Sequence, residues 1–207
     1  MPKFERKTKE ERRREIREAA KKVFLKKGYR NATMEDIVAA TSLSKGGVYQ
    51  YYKSTKAIMF DIMQGGNFFR HSRSQEIIKE GLEAQADVFE IITRVWEAKL
   101  FEKVREKKLY LMFLAEIPYD KETEALHRKL EKQSFELALN ALEENAAVFP
   151  ELRHMAKKML YSDILLYSRM SIGIMMSYEL FSDKKIFDSK RDEIHSIIYA
   201  FIKKMFE

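Results

Sequence analysis

Cysteine is absent from the 207 residues, which excludes disulfides and thiolate metal sites. Glycine (7) and proline (3) are sparse, a balance that favours helices over turn-rich sheets. No apolar run approaches the length of a membrane span. The chain does not open with an apolar core and a small-residue cleavage site. The expectation is therefore a reduced, cytoplasmic location with no membrane partner. What is present in quantity is apolar surface: 45% of residues are hydrophobic, enough for one large domain or for a small domain fused to a larger one.

The net charge is +7, and it is unevenly placed. Residues 1–56 hold 16 Lys/Arg against 7 Asp/Glu, whereas the rest hold 23 against 25. All of the basic excess thus falls in the N-terminal quarter. A localised positive field suits a polyanion, because each neutralised phosphate releases condensed counterions. A solubilising tail has the same composition, so the order of residues has to decide.

Thr8 and Glu11 have the capping-box spacing. Behind them Ile16, Ala19, Ala20, Val23 and Phe24 recur with helical period and stop at Gly28, a suitable C-terminal cap. Thr33, with Asp36 three residues on, starts a short second helix that buries Met34, Ile37 and Val38. The stretch Thr41-Ser42-Leu43-Ser44 reads as a tight turn, and Ser44 caps a third helix over Lys45–Tyr51. Two short helices joined by a four-residue turn form a helix-turn-helix, whose second helix enters the DNA major groove. On that helix Gly46 and Gly47 each cost about 1 kcal/mol against alanine, but they permit close approach of backbone to a phosphate or base. Lys45, Gln50 and Lys53 supply donors, and glutamine can read adenine with two hydrogen bonds. Val48 and Tyr52 share the inward face, leaving Tyr49 and Tyr51 for the DNA backbone. The basic run Lys3, Arg6, Lys7, Lys9, Arg12, Arg13 and Arg14 reads either as an arm along the DNA or as a solvated tail.

Residues 10–63 resemble the DNA-binding domain of the TetR family of bacterial repressors. The resemblance is carried by Ile16-Arg17-Glu18-Ala19-Ala20, Val23-Phe24, Gly28-Tyr29, Ala32-Thr33-Met34-Glu35-Asp36-Ile37 and Ser44-Lys45-Gly46-Gly47-Val48-Tyr49-Gln50-Tyr51-Tyr52. It implies that Thr33 and Tyr51 contact phosphates. It also implies that Lys45, Gly46, Tyr49 and Gln50 lie at the DNA surface, and Ser44, Gly47 and Lys53 beside them are further DNA-binding candidates. Two departures stand out: Ser42 replaces the usual turn glycine, and Ser54-Thr55-Lys56 replaces serine-lysine-glutamate at the start of the fourth helix. Thr55 and Lys56 then take the place of the family lysine at the backbone.

Ser54 starts a fourth helix that reaches Gly65-Gly66 or passes through it, where the glycines would mark a flexible point. Further helical patterns cover about 72–104, 106–117, 120–146, 151–182 and 188–206, with Pro118 as a stop, Pro150 in a first turn and Asp188 or Ser189 as the last cap. The expected fold is all-α with about nine helices. Residues 1–53 form a three-helix helix-turn-helix domain, and 54–207 form a helical ligand-binding and dimerisation domain.

Large soft side chains exceed what one core face needs. Phe68, Trp96, Phe101, Tyr110, Phe113, Tyr167, Met170 and Met175 are candidates to line an effector pocket, and core packing is the competing role for each. Glu116 would suit a cationic ligand if buried. The final two helices offer small Ser171, Gly173 and Ser177 and the stripe Ile194, Ile197, Ile198, Phe201, Ile202 and Met205. Paired across a twofold axis, they would form a four-helix homodimer interface.

Catalysis has little support. His71, His127, His154 and His195 are scattered and read as surface residues, and there is no metal-ligand spacing, nucleophile elbow or phosphate-cradling glycine loop. No enzyme activity, cofactor or metal is expected. The reading is a ligand-responsive repressor that binds a palindromic operator in double-stranded DNA as a homodimer and is released by a small-molecule effector. An activator or an architectural DNA binder is the alternative.

Overall fold

The computed structural model describes residues 7–147 and 149–206, and among these the protein is entirely helical, with eleven α-helices and one short 3-10 turn. The helices are α1 (Lys9–Lys27), α2 (Met34–Ala39), α3 (Lys45–Tyr51), α4 (Thr55–Glu83), α5 (Val88–Phe101), α6 (Glu106–Leu114), α7 (Lys121–Asn145), α8 (Pro150–Lys158), α9 (Tyr161–Leu180), α10 (Lys185–Ser189) and α11 (Arg191–Phe206), with the 3-10 turn at Ile117–Tyr119.

The chain forms two compact units that do not follow its order. One takes residues up to Gly66 together with Arg105–Leu126; the other takes Asn67–Val104 and residues from His127 onward. The unit holding the helix-turn-helix therefore extends past residue 53. Its core is built from one face of α1 (Ile16, Ala19, Ala20, Phe24), from Met34 and Ile37, from Val48 and Tyr52, and from Ile58, Met59, Ile62 and Met63 of α4. Leu109 and Phe113 of α6 close it, with Phe113 edge-on to Phe60 at 6.3 Å between ring centroids.

The second unit packs α5 against α9 and α11. Gly81 of α4 allows the closest approach here: a Cβ at that position would lie 2.5 Å from Ile91 Cγ1. Asn67 is buried and fully used. Its amide donates to Leu130 O, and its oxygen accepts from Ser134 Oγ at 2.7 Å and Arg70 Nη2 at 3.1 Å.

The count of about nine helices falls short by two because the 151–182 stretch is broken and the short α10 precedes α11; the 72–104 stretch is broken as well, but its first part continues α4. The 72–104 stretch divides where Gln85 takes a positive φ of 54° and Asp87 accepts the Glu90 N–H, starting α5. The 151–182 stretch divides at Met159-Leu160, both extended. Asp188 and Ser189 lie inside the short α10 and do not cap α11. Gly65-Gly66 sit within α4, which runs on through them to Glu83. Pro150 occupies the first turn of α8, and Pro118 lies in the 3-10 turn.

Candidate nucleic-acid interface

Three side-chain caps fix the local geometry. Thr8 accepts from the Glu11 N–H, Thr33 from the Asp36 N–H and Ser44 from the Gly47 N–H, each at 3.2 Å. The Thr8 and Thr33 caps are reciprocal, since Glu11 and Asp36 accept from the cap backbones. Asp36 is also paired with Lys27, and this bond, with the cap bonds from Thr33, holds its carboxyl down to about 2. A hydroxyl that accepts a backbone hydrogen bond still has its own O–H to donate, so Thr33 and Ser44, both exposed, can each offer a hydrogen outward.

The turn between α2 and α3 is tied back to α1. Glu15 accepts from both the backbone N–H (3.1 Å) and the hydroxyl of Ser42, and it also pairs with Lys7 and Arg12. These bonds, the one from Lys7 first, lower the Glu15 carboxyl to about 2. Ser42 has no positive φ, so the turn in this chain does not need glycine there, and the serine hydroxyl adds a tether.

On α3, Val48 and Tyr52 are buried while Ser44, Lys45, Gly46, Gln50 and Lys53 are exposed. Tyr49, Tyr51 and Gly47 are half-buried. Nothing lies within 4 Å of a Cβ added at Gly46, so the fold does not require glycine at that position. Lys45 is held at 3.1 Å by Glu35 of α2, which also accepts from the Tyr49 hydroxyl. Lys53 donates to Tyr49 O at 2.7 Å and closes the helix end. Beside this surface, Gln50 and Tyr51 of α3 and Lys9 and Arg13 of α1 line an open hollow of about 390 Å³. Lys3 and Arg6 of the basic run lie outside the described residues.

Thr55 opens α4 behind Ser54, whose hydroxyl accepts the Ala57 N–H. Lys56 is paired with Asp120 (2.8 Å) and Glu122 (3.0 Å), which push its ammonium up to about 12. Asp61 of α4 had no signal in the sequence. It accepts from the Tyr52 hydroxyl, from Arg17 at 2.9 Å and from Arg13 at 3.1 Å. Its partners lie up to 48 positions away, beyond the reach of any local pattern.

The effector candidates are dispersed. Tyr110 and Phe113 belong to the helix-turn-helix unit and stack on each other. In the second unit Trp96 meets Tyr167 edge-on at 3.9 Å, Tyr167 stacks on Phe201 at 4.5 Å, and Phe101 packs on Tyr178. Met175 is buried, whereas Phe68 and Met170 are 65% and 50% exposed. Glu116 is taken by Arg30 at 2.7 Å. One histidine, His127, is not the surface residue expected, while His195 stays 32% exposed. His127 is buried beside Glu131, and His195 lies between Glu90 (3.0 Å) and Glu97 (3.3 Å). Among the described residues no group of three or more His, Asp or Glu is arranged to hold a metal, and no helix is long and apolar enough to cross a membrane.

Comparison with known proteins places these observations. The family model for bacterial regulatory proteins of the tetR family matches residues 16–62. The chain is 43% identical over 65 residues to the uncharacterized HTH-type transcriptional regulator YfiR of Bacillus subtilis, a match covering 31% of this chain and 32% of that protein. It is 28% identical over 87 residues to the HTH-type transcriptional repressor KstR2 of Rhodococcus jostii, covering 42% of this chain and 43% of that one. The chain thus spans less than half the length of these curated relatives. Among solved structures, Salmonella enterica GusR superposes with a TM-score of 0.72 at 15% identity, covering 97% of both chains; the two share a fold.

Proposed function

Residues 16–62 match the family model of bacterial regulatory proteins of the tetR family, and from that match we propose that the protein is a member of that family and a ligand-responsive transcriptional repressor. It acts in the cytoplasm as a homodimer on a palindromic operator and is released by a small-molecule effector. The observation that carries the reading is α3. Its inward residues Val48 and Tyr52 are locked into the core, while Lys45, Gly46, Gln50 and Lys53 are left in solvent on a rigid element. That is the arrangement base-edge reading requires.

In this reading Thr33, Ser44, Tyr51 and Thr55 donate to phosphates, and Lys9 and Arg13 join Tyr51 at the backbone. Gly46 and Gly47 admit close approach, and Lys45, Tyr49, Gln50 and Lys53 face the groove. Lys56 exchanges its carboxylate partners for phosphate when DNA is present. Residues 1–53, joined by Thr55 and Lys56 at the start of α4, carry the DNA contact, and the rest of residues 54–207 carries the effector and the dimer contact.

The dimer is supported by α9. Leu166, Met170, Gly173, Ser177 and Leu180 recur at alternating steps of four and three, the spacing of a helix-helix seam. Of these, Leu166, Met170 and Leu180 are 58%, 50% and 64% exposed. Gly173 lies in the middle with open space where a Cβ would be, so a second helix can approach closely. α11 contributes less than its apolar stripe suggested, because Ile198 and Ile202 are buried in the protomer and only Ile197 of the stripe is fully exposed, at 68%.

Fluorescence anisotropy against DNA from upstream of the protein's own gene, at several salt concentrations and with random DNA as control, tests the proposal. Affinity for the upstream DNA about a thousandfold above random is the expected result for a specific regulator. Equal, steeply salt-dependent binding to both would overturn it in favour of a general DNA binder.

A further inference from the structure

Two cations of the helix-turn-helix unit flank the proposed phosphate donors, and both are already paired. Arg30 lies three positions before Thr33, and Lys56 directly follows Thr55. One short segment, residues 116–122, holds the two of them. Glu116 takes Arg30 at 2.7 Å, and the Tyr119 ring centre lies 4.8 Å from the same guanidinium. Asp120 and Glu122 take Lys56 at 2.8 and 3.0 Å. Tyr29, half-buried, feels Glu116, Lys56 and Asp120 together, so the two pairings form one cluster.

The acids are anchored. Asp120 caps α7, accepting the backbone N–H of Thr123 at 3.3 Å and its hydroxyl at 2.5 Å, and Thr123 is buried. Glu116 is only 17% exposed and directly precedes the 3-10 turn that contains Pro118. A carboxylate fixed in this way offers a cation what a phosphate offers, negatively charged oxygens at hydrogen-bond distance. A phosphate that is to meet Arg30 or Lys56 therefore has to displace it.

We propose that residues 116–122 form an autoinhibitory clasp, whose carboxylates stand in for DNA phosphates at Arg30 and Lys56 and are exchanged for them when DNA binds. The clasp rests on the DNA-binding reading above and gives that site a built-in attenuator. Ion pairs this exposed are weak, so it lowers affinity by a moderate factor and leaves binding possible. Because phosphate contacts carry no sequence information, it acts on operator and random DNA alike.

The triple variant Glu116→Gln, Asp120→Asn, Glu122→Gln removes the three charges, and asparagine keeps the α7 cap. Fluorescence anisotropy on the full-length protein compares it with wild type on upstream and random DNA at several salt concentrations. Affinity for both DNAs is expected to rise about tenfold, and the slope of log affinity against log salt to steepen by about one to two units, one for each cation released to a phosphate. Adding Arg30→Gln and Lys56→Gln to the triple variant should abolish the gain, leaving affinity within about twofold of the variant that carries those two changes alone. Circular dichroism checks the fold. Glu122→Gln by itself is the milder variant, since that side chain is 72% exposed and takes no part in the α7 cap. It should gain about two- to threefold on both DNAs, and lose the gain with Lys56→Gln. Independently of DNA, NMR follows the Lys56 ammonium, which Asp120 and Glu122 push up to about 12; in the triple variant it should titrate lower.

Unchanged or reduced affinity in the folded triple variant, or a gain that survives the loss of Arg30 and Lys56, would overturn the clasp and leave the DNA-binding reading standing. Lys56 titrating alike in wild type and triple variant would overturn it as well. If wild type and every variant bind neither DNA while Lys56 still titrates high, the DNA-binding reading itself fails, and the clasp with it.

Discussion

The hydroxyl of Tyr52, the residue that closes the recognition helix, donates to the carboxylate of Asp61 on α4. Arg13 and Arg17 of α1 donate to the same carboxylate oxygen, and the Arg13 guanidinium lies 4.8 Å from the centre of the Tyr52 ring. Burial alone would raise the Asp61 carboxyl, but the three donors hold it below its ordinary value. Burial and then Asp61 push the Tyr52 hydroxyl up to about 12. One oxygen therefore joins α1, the end of α3 and α4.

Asp61→Asn should accordingly affect both stability and DNA binding. It leaves the partly buried Arg13 guanidinium without its ion-pair partner, while Arg17 keeps Glu10 at 2.6 Å, and the loss costs about 1–3 kcal/mol. Tyr52→Phe, which keeps the ring and loses one donor, costs about 1 kcal/mol. Denaturant unfolding reads the first effect and anisotropy the second. Operator affinity should fall for both variants, and for Tyr52→Phe with the salt dependence unchanged, since that variant alters no charge. Unchanged affinity in a folded Asp61→Asn variant would mean that the network holds the core and does not position α3.

The Glu15 bonds to the turn predict a pH window. Its carboxyl is held at about 2 in the folded protein, below its ordinary value, so the unfolded chain takes up the proton first as pH falls. The contribution is therefore fully present above about pH 4.5 and is lost as pH drops toward 2. Glu15→Gln removes it at any pH. The melting-temperature difference between wild type and Glu15→Gln should be constant above pH 5 and shrink steadily below it. A difference that persists undiminished to pH 2.5 would show that the Ser42 tether does not depend on the charge.

Both tethers bear on what the sequence made legible. The caps at Thr8, Thr33 and Ser44 and the inward turn of Val48 and Tyr52 were readable because each is decided by residues within four positions. The break at Met159-Leu160 was not: no glycine or proline marks it, and Met155 and Met159 are buried on either side of a bend set by packing. Of the two readings left open at Gly65-Gly66, the helix passes through them. Their local cost of about 1 kcal/mol each is small beside the burial of Ile58, Met59, Ile62 and Met63 before them and Ile77 after them. At the candidate site, the exposed side of α3 was legible, but the Asp61 network and the Lys56 pairing with Asp120 depend on residues distant in sequence.

Gly46 separates folding from DNA contact. The position is helical, exposed and free of neighbours, so Gly46→Ala should stabilise the protein by up to about 1 kcal/mol through helix propensity. If backbone closeness to DNA is what keeps glycine there, the same variant should lose about tenfold or more in operator affinity. A more stable variant with undiminished affinity would remove Gly46 from the interface.

Under the proposed DNA contact, Glu35 places a negative charge on the surface that would meet phosphate. It holds Lys45, and the pair lowers the Glu35 carboxyl and raises the Lys45 ammonium. Both side chains are more than 60% exposed, and such a pair contributes little to stability. Glu35→Gln should therefore leave unfolding nearly unchanged while freeing Lys45 and removing a repulsive charge. Affinity for DNA is expected to rise about two- to fivefold, and the slope of log affinity against log salt to steepen by up to about one unit. The gain should appear on random DNA as well as on the operator, which would narrow the ratio between them. A gain on the operator alone would mean instead that Lys45 reads a base and that Glu35 restrains its aim.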